Sequence, residues 1–317
     1  MAERTRAAAA PPSPTSLVVP VFDAGARLDA FLSRRVGDRS RSEWQRLIGL
    51  GAVRVNRAPA KPSLRLQTGD RVELLAVPAR LEAQPDASIP LTIVYQDPAV
   101  IVVDKPAGLV VHPAPGNEGG TLVNALLARF PELQDPSGEL RPGIVHRLDK
   151  DTSGLMVVGR TARAVAALQA QMKQQTVVKR YLTLVSGTLA EDRGEVDAPI
   201  ARSLTHRQKM AVRADGRPAR TEFRVVERFR EWTLLEARIH TGRTHQIRVH
   251  CAYIGHSVAG DTTYGRGRAP EGLRRQFVHA THLAFDSPLD GRRQAFDSPL
   301  PEDLRAVLER LRREAAG

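Results

Sequence analysis

Residues 143–154 read GIVHRLDKDTSG and run directly into the apolar stretch Leu155–Val158. A polar, charge-dense loop feeding a buried strand is where folded proteins commonly display reactive groups. Within it Asp149 has Arg147 and Lys150 as near neighbours, and adjacent cations favour the ionised carboxylate. A nucleophile or a general base needs that ionised form. An aspartate here can equally cap a turn, and local composition leaves both readings open. Asp151 reads as the cap of the turn before Ser153.

A second string, HTGRTHQIRVH, spans His240–His250. The strand-like run Trp232–Ile239 ends at it, Gly242 allows an unusual turn, and Thr244 is expected to cap a helix over His245–Ile254. On that helix Ile247, Cys251 and Ile254 share one face and should bury. Arg248 lies beside the face and is drawn inward; a half-buried arginine needs a carboxylate partner, and Asp149 is the candidate. His240, His245, His250 and His256 invite a metal reading. Their spacing does not stack them on one helix face, and neither HExxH nor paired cysteines accompany them, so no metal is expected. A third string, VKRYLTLV at 178–185, is a strand opening on Lys179, Arg180 and Tyr181. Its tyrosine suits either a base-stacking platform or a strand edge.

Around these strings the pattern divides the chain. Residues 1–16 are Ala/Pro/Ser-rich and are expected to be a disordered tail. Residues 17–80 read as a small αβ module. Leu28, Phe31 and Leu32 recur at helical spacing, a second helix runs from Ser42 as N-cap through Trp44, Leu47 and Ile48, and short strands follow around a turn at Asn56-Arg57. A linker is expected at 81–90 in a Pro/Ala segment. From 91 to 317, strands at Leu91–Tyr95, Val100–Asp104, Gly154–Arg160, Tyr181–Val185 and Trp232–Ile239 alternate with helices at Thr121–Phe130 and Ala162–Gln174. The hexapeptide AFDSPL, at 284–289 and again at 295–300, flanks Asp290-Gly291 as a hairpin would. The fold class expected is α+β, a small module followed by a mixed, mainly antiparallel sheet with flanking helices.

Composition narrows the function classes. Of the residues 42% are hydrophobic, enough for a sizeable core, but only 4% are aromatic, so Val, Leu, Ile and Ala must build it. The net charge of +12 attracts polyanions, although arginine scattered by coding bias would give the same total. Residues 27–76 hold eleven Arg/Lys against five Asp/Glu, so half of the excess sits in one short stretch. Cys251 is the single cysteine, which excludes an intrachain disulfide and a cysteine-based zinc site. No apolar stretch approaches bilayer length, and the N-terminus lacks a secretory core, so the cytoplasm is the expected compartment. Neither a Walker or dinucleotide loop nor a serine elbow is present, and no nucleotide cofactor is indicated.

Together the strings resemble the RluA-type pseudouridine synthase family: HRLDKDTSG its catalytic-aspartate motif, KRY its Lys-x-Tyr motif, TGRTHQIRVH its third motif. The similarity runs from about 89 to 303 and takes in DKPAGLVVHPAPGN (104–117) and PLPEDL (299–304). Residues 27–76 resemble the S4 RNA-binding module, with Asn56-Arg57 in place of the usual Asn-Gly. ARSLTHRQKMAV (201–212), GRPARTEFR (216–224) and GDTTYG (260–265) look most like the large-subunit synthase D branch, which modifies the intersubunit stem-loop, helix 69, of 23S ribosomal RNA.

The resemblance implies redox-neutral isomerisation of uridine without cofactor. It implies Asp149 as the nucleophile or proton-abstracting base, Tyr181 against the uracil, and Arg248 as the ion-pair partner of Asp149. His146, Arg147, Lys179, Arg243, His245, Gln246 and Ile247 are then expected to bind the substrate, Arg147 filling the gap left by a flipped base or gripping phosphate. In the S4-like module Arg27, Arg39, Arg41, Arg46 and Arg54 are expected to bind RNA. The partner implied is ribosomal RNA, free or in a pre-ribosomal particle, and the protein is expected to be a monomer. The alternatives are the same chemistry on another 23S site or on transfer RNA, and a non-catalytic ribosome-assembly factor. A glycoside hydrolase would need two opposed carboxylates, whereas Asp149 and Asp151 share one loop.

Overall fold

A computed structural model describes residues 15–37, 39–75, 83–113, 117–133, 141–206, 209–265 and 268–316. The chain divides into two compact units, Met1–Glu82 with Asp135–Arg141 and Ala83–Gln134 with Pro142–Gly317. The tail expected at 1–16 lies outside the described residues up to 14; its last two positions, Thr15 and Ser16, instead open a strand that pairs in the first unit.

The first unit contains β1 (Thr15–Val18), α1 (Leu28–Arg35), α2 (Arg41–Gly49), β2 (Val53–Val55), β3 (Ala58–Pro59) and β4 (Arg71–Leu74). Its antiparallel sheet has the order β1-β4-β2-β3. Leu28, Phe31 and Leu32 of α1 meet Trp44, Leu47 and Ile48 of α2 over Val53 and Val72, giving the unit its own core. The cap of α2 is Ser40 rather than Ser42: the Ser40 side chain accepts the Glu43 N–H at 3.3 Å, because its extended backbone turns the hydroxyl back over the first turn. Asn56 and Arg57 both take left-handed conformations, with φ of 50° and 68°. They make the two-residue turn between β2 and β3, and Asn56 braces it by accepting the Arg71 N–H at 2.8 Å.

The second unit continues with β5 (Thr92–Gln96), β6 (Val100–Lys105), α3 (Leu122–Arg129), β7 (Ser153–Gly159), α4 (Ala162–Gln174), β8 (Val178–Ser186) and β9 (Arg193–Asp197). There follow β10 (Ile200–Arg202), β11 (Met210–Val212), β12 (Arg220–Arg228), β13 (Trp232–Ile239), α5 (Gln246–Tyr253), β14 (Val278–Asp286), β15 (Arg293–Asp297) and α6 (Glu302–Ala316). Nine of these strands form one sheet of order β5-β6-β7-β14-β8-β13-β12-β9, with β15 pairing β14. β10 and β11 form a separate hairpin. Residues 83–90 are not a free linker where the structure describes them: the Asn124 amide donates to Gln84 O at 2.6 Å, and Asp86 N–H donates to Asn124 O at 2.9 Å.

Every residue of β7 is buried, which is why its sequence is a continuous apolar run rather than an alternating one. β7 meets β14 at only two positions, His279↔Ser153 and Ala280↔Gly154, the one parallel pairing in an otherwise antiparallel sheet. Beyond them β14 pairs with β15 instead. Gly154 makes this approach possible: its φ is +115°, and a Cβ there would stand 2.3 Å from Ala280 O. The 143–152 loop therefore enters the sheet at a point where two strands separate. α6 covers one end of the sheet through Leu304, Val307, Leu308 and Leu311, packed on Leu184, Leu234 and Phe277.

Candidate active site

The loop before β7 is held from beneath. Lys105, at the end of β6 and fully buried, donates to three backbone carbonyls: Pro106 and Leu109 at 2.8 Å and Lys150 at 3.0 Å. Burial lowers its pKa to about 7, against the attraction of Asp151 and Asp149. Leu148 turns into the main apolar cluster with Met156, Tyr181 and Ile247, while Arg147 and Asp149 on either side of it face a cavity open to solvent. Tyr181, Ile239, Arg243, His245, Gln246, Ile247, Arg248 and Val278 complete most of its wall.

Asp149 and Arg248 pair as expected, Nη1 donating to Asp149 Oδ2 at 2.9 Å. The sequence reading missed a second carboxylate. Arg248 Nε and Nη2 donate to the two oxygens of Asp261 at 2.7 and 3.0 Å, and Asp261 Oδ1 also accepts the Thr263 and Tyr264 N–H groups. Burial disfavours the Arg248 charge, but hydrogen bonds and attraction from Asp261, then from Asp149, outweigh it and raise its pKa. For Asp261, burial acts upward, yet Arg248 and the two amides hold the carboxyl below its usual range. Tyr181 is 5% exposed; burial, reinforced by Asp149, raises its pKa, so its hydroxyl is protonated. Its ring belongs to the apolar wall rather than to a strand edge.

α5 begins differently from expectation. The left-handed residue is His245, with φ of 58°, not Gly242, and Thr244 is not the cap: the N-cap position is His245 itself, without a side-chain capping bond. The helix start is stabilised by Gln246 instead. Its Oε1 accepts from Thr241 Oγ1 and Arg243 N–H, and its Nε2 donates to Arg220 O and Thr221 Oγ1. Gln246 lines the cavity, but its amide is spent on the fold and not free for a ligand. His146 is also a fold residue: its Nε2 accepts the Val157 N–H at 3.0 Å, and loss of solvation lowers its pKa to about 3. Lys179 is buried outside the cavity wall, its pKa lowered to about 8 by desolvation and then by Arg243. Arg147, Arg243, His245 and Ile247 do line the cavity. Cys251 is buried on α5, and burial pushes its thiol up to about 12.

The four histidines considered for a metal have separate partners. His240 lies 3.0 Å from Glu222, His245 bonds Tyr264, His250 bonds Thr221 and Ala198 O, and His256 bonds Ser186 O. Among the described residues no three His, Cys, Asp or Glu are gathered, and no helix is long and apolar enough to cross a membrane.

In the first unit, Arg27 and Arg41 are engaged by the buried Asp29, at 2.9 and 3.2 Å. Arg39 is itself buried and pairs with Glu43 at 3.2 Å, so it belongs to the core and not to an RNA-facing surface. Arg46 and Arg54 are exposed.

The cavity wall thus brings together one carboxylate held by a buried guanidinium, one tyrosine ring and the arginines Arg147 and Arg243. Comparison with known proteins supplies the class. The RNA pseudouridylate synthase model matches residues 99–253, and the S4 domain model matches 26–72. An uncharacterized RNA pseudouridine synthase of Bacillus subtilis is 44% identical, over 90% of this chain and 94% of that protein. The ribosomal large subunit pseudouridine synthase D of Xanthomonas campestris is 45% identical, over 94% of this chain and 93% of that protein. Among solved structures, human RNA pseudouridylate synthase domain containing 1 superposes with a TM-score of 0.57 at 26% identity, covering 74% of this chain and 98% of the human one. The chain belongs to the RNA pseudouridine synthase family and carries an S4 domain. It is an isomerase, and the α+β fold expected from its sequence is that of the family.

Proposed function

We propose that this protein isomerises uridine in 23S ribosomal RNA, in the intersubunit stem-loop, helix 69, with Asp149 as the catalytic carboxylate. The observation that carries the reading is the placement of Asp149: in the cavity wall, its Oδ2 fixed by a buried guanidinium that another carboxylate already holds. The relatives named for the large ribosomal subunit support the choice of RNA.

Uridine leaves its stack to reach the cavity, at a cost of a few kcal/mol. The exposed Arg147 beside Asp149 grips phosphate or fills the vacated space. Asp149 then either attacks the sugar or assists elimination. In both routes the N1–C1′ bond breaks and the uracil turns against Tyr181; C5 then bonds to C1′ as the Asp149 ester at C1′ is displaced, or as the proton taken from C2′ is returned, and the C5 proton is lost while N1 takes one up. His245, Arg243 and Ile247 frame the base. Residues 17–80 supply sequence-independent phosphate contacts, through Arg46 and Arg54 among others, and the protein acts as a monomer.

The test is Asp149→Asn, which keeps shape and removes charge. Tritium release from C5-labelled uridine RNA is expected to vanish while RNA binding survives; normal release removes Asp149 from the reaction. Mapping pseudouridine in cells that lack the gene reads the substrate. Loss confined to helix 69 supports the assignment, and loss at another ribosomal site or in transfer RNA refutes it. Complementation by Asp149→Asn would make the protein an assembly factor instead. Deleting residues 1–80 is expected to weaken ribosomal RNA binding but leave turnover on a short hairpin; undiminished affinity refutes the role of the first unit.

A further inference from the structure

Tyr264 lies in the loop after Asp261, and its hydroxyl oxygen accepts the Met210 N–H of β11 at 2.8 Å. The same oxygen is 2.7 Å from Nδ1 of His245, the rings meeting edge to face. A hydroxyl has one proton to donate. On its other side stands the Arg248 guanidinium, 5.2 Å over the Tyr264 ring, which offers donors only. His245 Nδ1 is the acceptor at hand. A neutral imidazole that accepts at Nδ1 carries its proton on Nε2.

The other end of the ring makes the same choice. His245 Nε2 lies 3.9 Å from Asp149 Oδ2. With the proton on Nε2 the ring presents a donor toward an anionic oxygen. The opposite tautomer would turn a lone pair to the carboxylate and leave the Tyr264 proton without its acceptor, both unfavourable where the two groups are largely desolvated. Desolvation, the largest influence on His245, lowers its pKa against the pull of Asp149 and so favours the neutral ring.

We propose that Tyr264 is a positioning residue of the reaction: it locks His245 as the Nε2–H tautomer, so that the imidazole donates a hydrogen bond to the ribose or uracil oxygen seated beside Asp149. The gap of 3.9 Å is too long for a direct bond to the carboxylate, and a substrate oxygen between the two groups would receive the donor. The left-handed backbone at His245, φ 58°, frees the ring from capping α5 and aims it at the cavity. Such a conformation costs on the order of 1 kcal/mol and persists only where surrounding bonds fix it, here those of Gln246. Because Met210 donates to the same oxygen, the β10–β11 hairpin is tied into this relay. The inference rests on Asp149 being the catalytic carboxylate.

Long-range proton–nitrogen spectra of the full chain, labelled with nitrogen-15 histidine, test it without RNA. The His245 signals are assigned by their loss in His245→Gln. The wild type is expected to show the Nε2–H pattern at neutral pH, and Tyr264→Phe a mixture with the Nδ1–H form. A wild-type ring protonated on Nδ1, or a tautomer unchanged in Tyr264→Phe, overturns the proposal even if Asp149→Asn abolishes turnover. With RNA, Tyr264→Phe is expected to lower kcat about tenfold, the loss of one hydrogen bond, with KM within about twofold. A rise in KM alone would make Tyr264 a binding residue and refute the relay.

Discussion

Asp261 holds Arg248 through both carboxylate oxygens, at 2.7 Å to Nε and 3.0 Å to Nη2. That grip fixes the guanidinium plane and leaves Nη1 to reach Asp149 at 2.9 Å. Desolvating an arginine is expensive, and one flexible carboxylate rarely compensates it. Here two carboxylates share the cation, so Asp149 receives an oriented donor from a residue that stays fixed without it.

Arg248→Ala strands two carboxylates in a shielded site. Stability should fall by about 3–5 kcal/mol in urea titrations, with loss of tritium release. Arg248→Lys offers one ammonium in place of a fork and should fold, yet remain at least about a hundredfold slower. Wild-type turnover in the lysine variant would show that the fork is not required. Asp261→Asn should reproduce most of this loss although Asp261 is fully buried and lies outside the cavity wall.

Gly154→Ala places a methyl group 2.3 Å from Ala280 O and 2.6 Å from Ala280 N, backbone that cannot move aside cheaply, at a φ of +115°. A loss above about 3 kcal/mol is expected, seen as a collapse of soluble yield or of the thermal midpoint. An ordinary midpoint would contradict the close strand approach beneath the 143–152 loop.

His146 gives stability a pH dependence of definite sign. Its folded pKa, about 3, lies below the ordinary 6.5 because the ring is desolvated and the Lys179 charge opposes its protonation. Between these values the unfolded chain binds a proton that the folded chain refuses. Stability is therefore full above about 6.5 and falls as pH drops toward 3. The contribution to the slope approaches about 1.4 kcal/mol per pH unit. His146→Asn should remove that part of the slope in denaturant titrations between pH 6.5 and 4; parallel curves would refute the assignment.

Arg57 takes a left-handed conformation, φ 68°, in the β2–β3 turn, where glycine pays less strain. Arg57→Gly should leave the fold intact and stabilise the first unit by up to about 1 kcal/mol, measurable by amide exchange in β2. Destabilisation would mean that the arginine side chain braces the turn.

Much of the fold was readable because β8, β13 and α4 state their periodicity plainly, β7 reads as a short continuous apolar run, and the paired strings at 149 and 248 carry opposite charge. Asp261 was not readable as a site residue: it lies in a loop without periodicity, 13 residues beyond Arg248, and nothing local distinguishes a ligand of arginine from a turn former. Gln246 and His146 sit inside reactive-looking strings, yet their polar atoms serve backbone and neighbouring side chains, which only the packed sheet reveals. Arg39 misled for the converse reason, since a basic residue in a basic segment reads as surface until Trp44 and Glu43 close over it. The start of α5 turned on backbone strain, and glycine and threonine are the residues one suspects there, not histidine.

The sealed thiol of Cys251 makes the protein chemically quiet. Its sequence has one cysteine, buried and pushed up to about 12, so alkylating dyes and mild oxidants should leave it unmarked. A cysteine introduced at an exposed position such as Ser63 would then be a unique attachment point for a fluorophore, and the arrival and departure of RNA could be followed in real time without first stripping the native chain of competing sulfur.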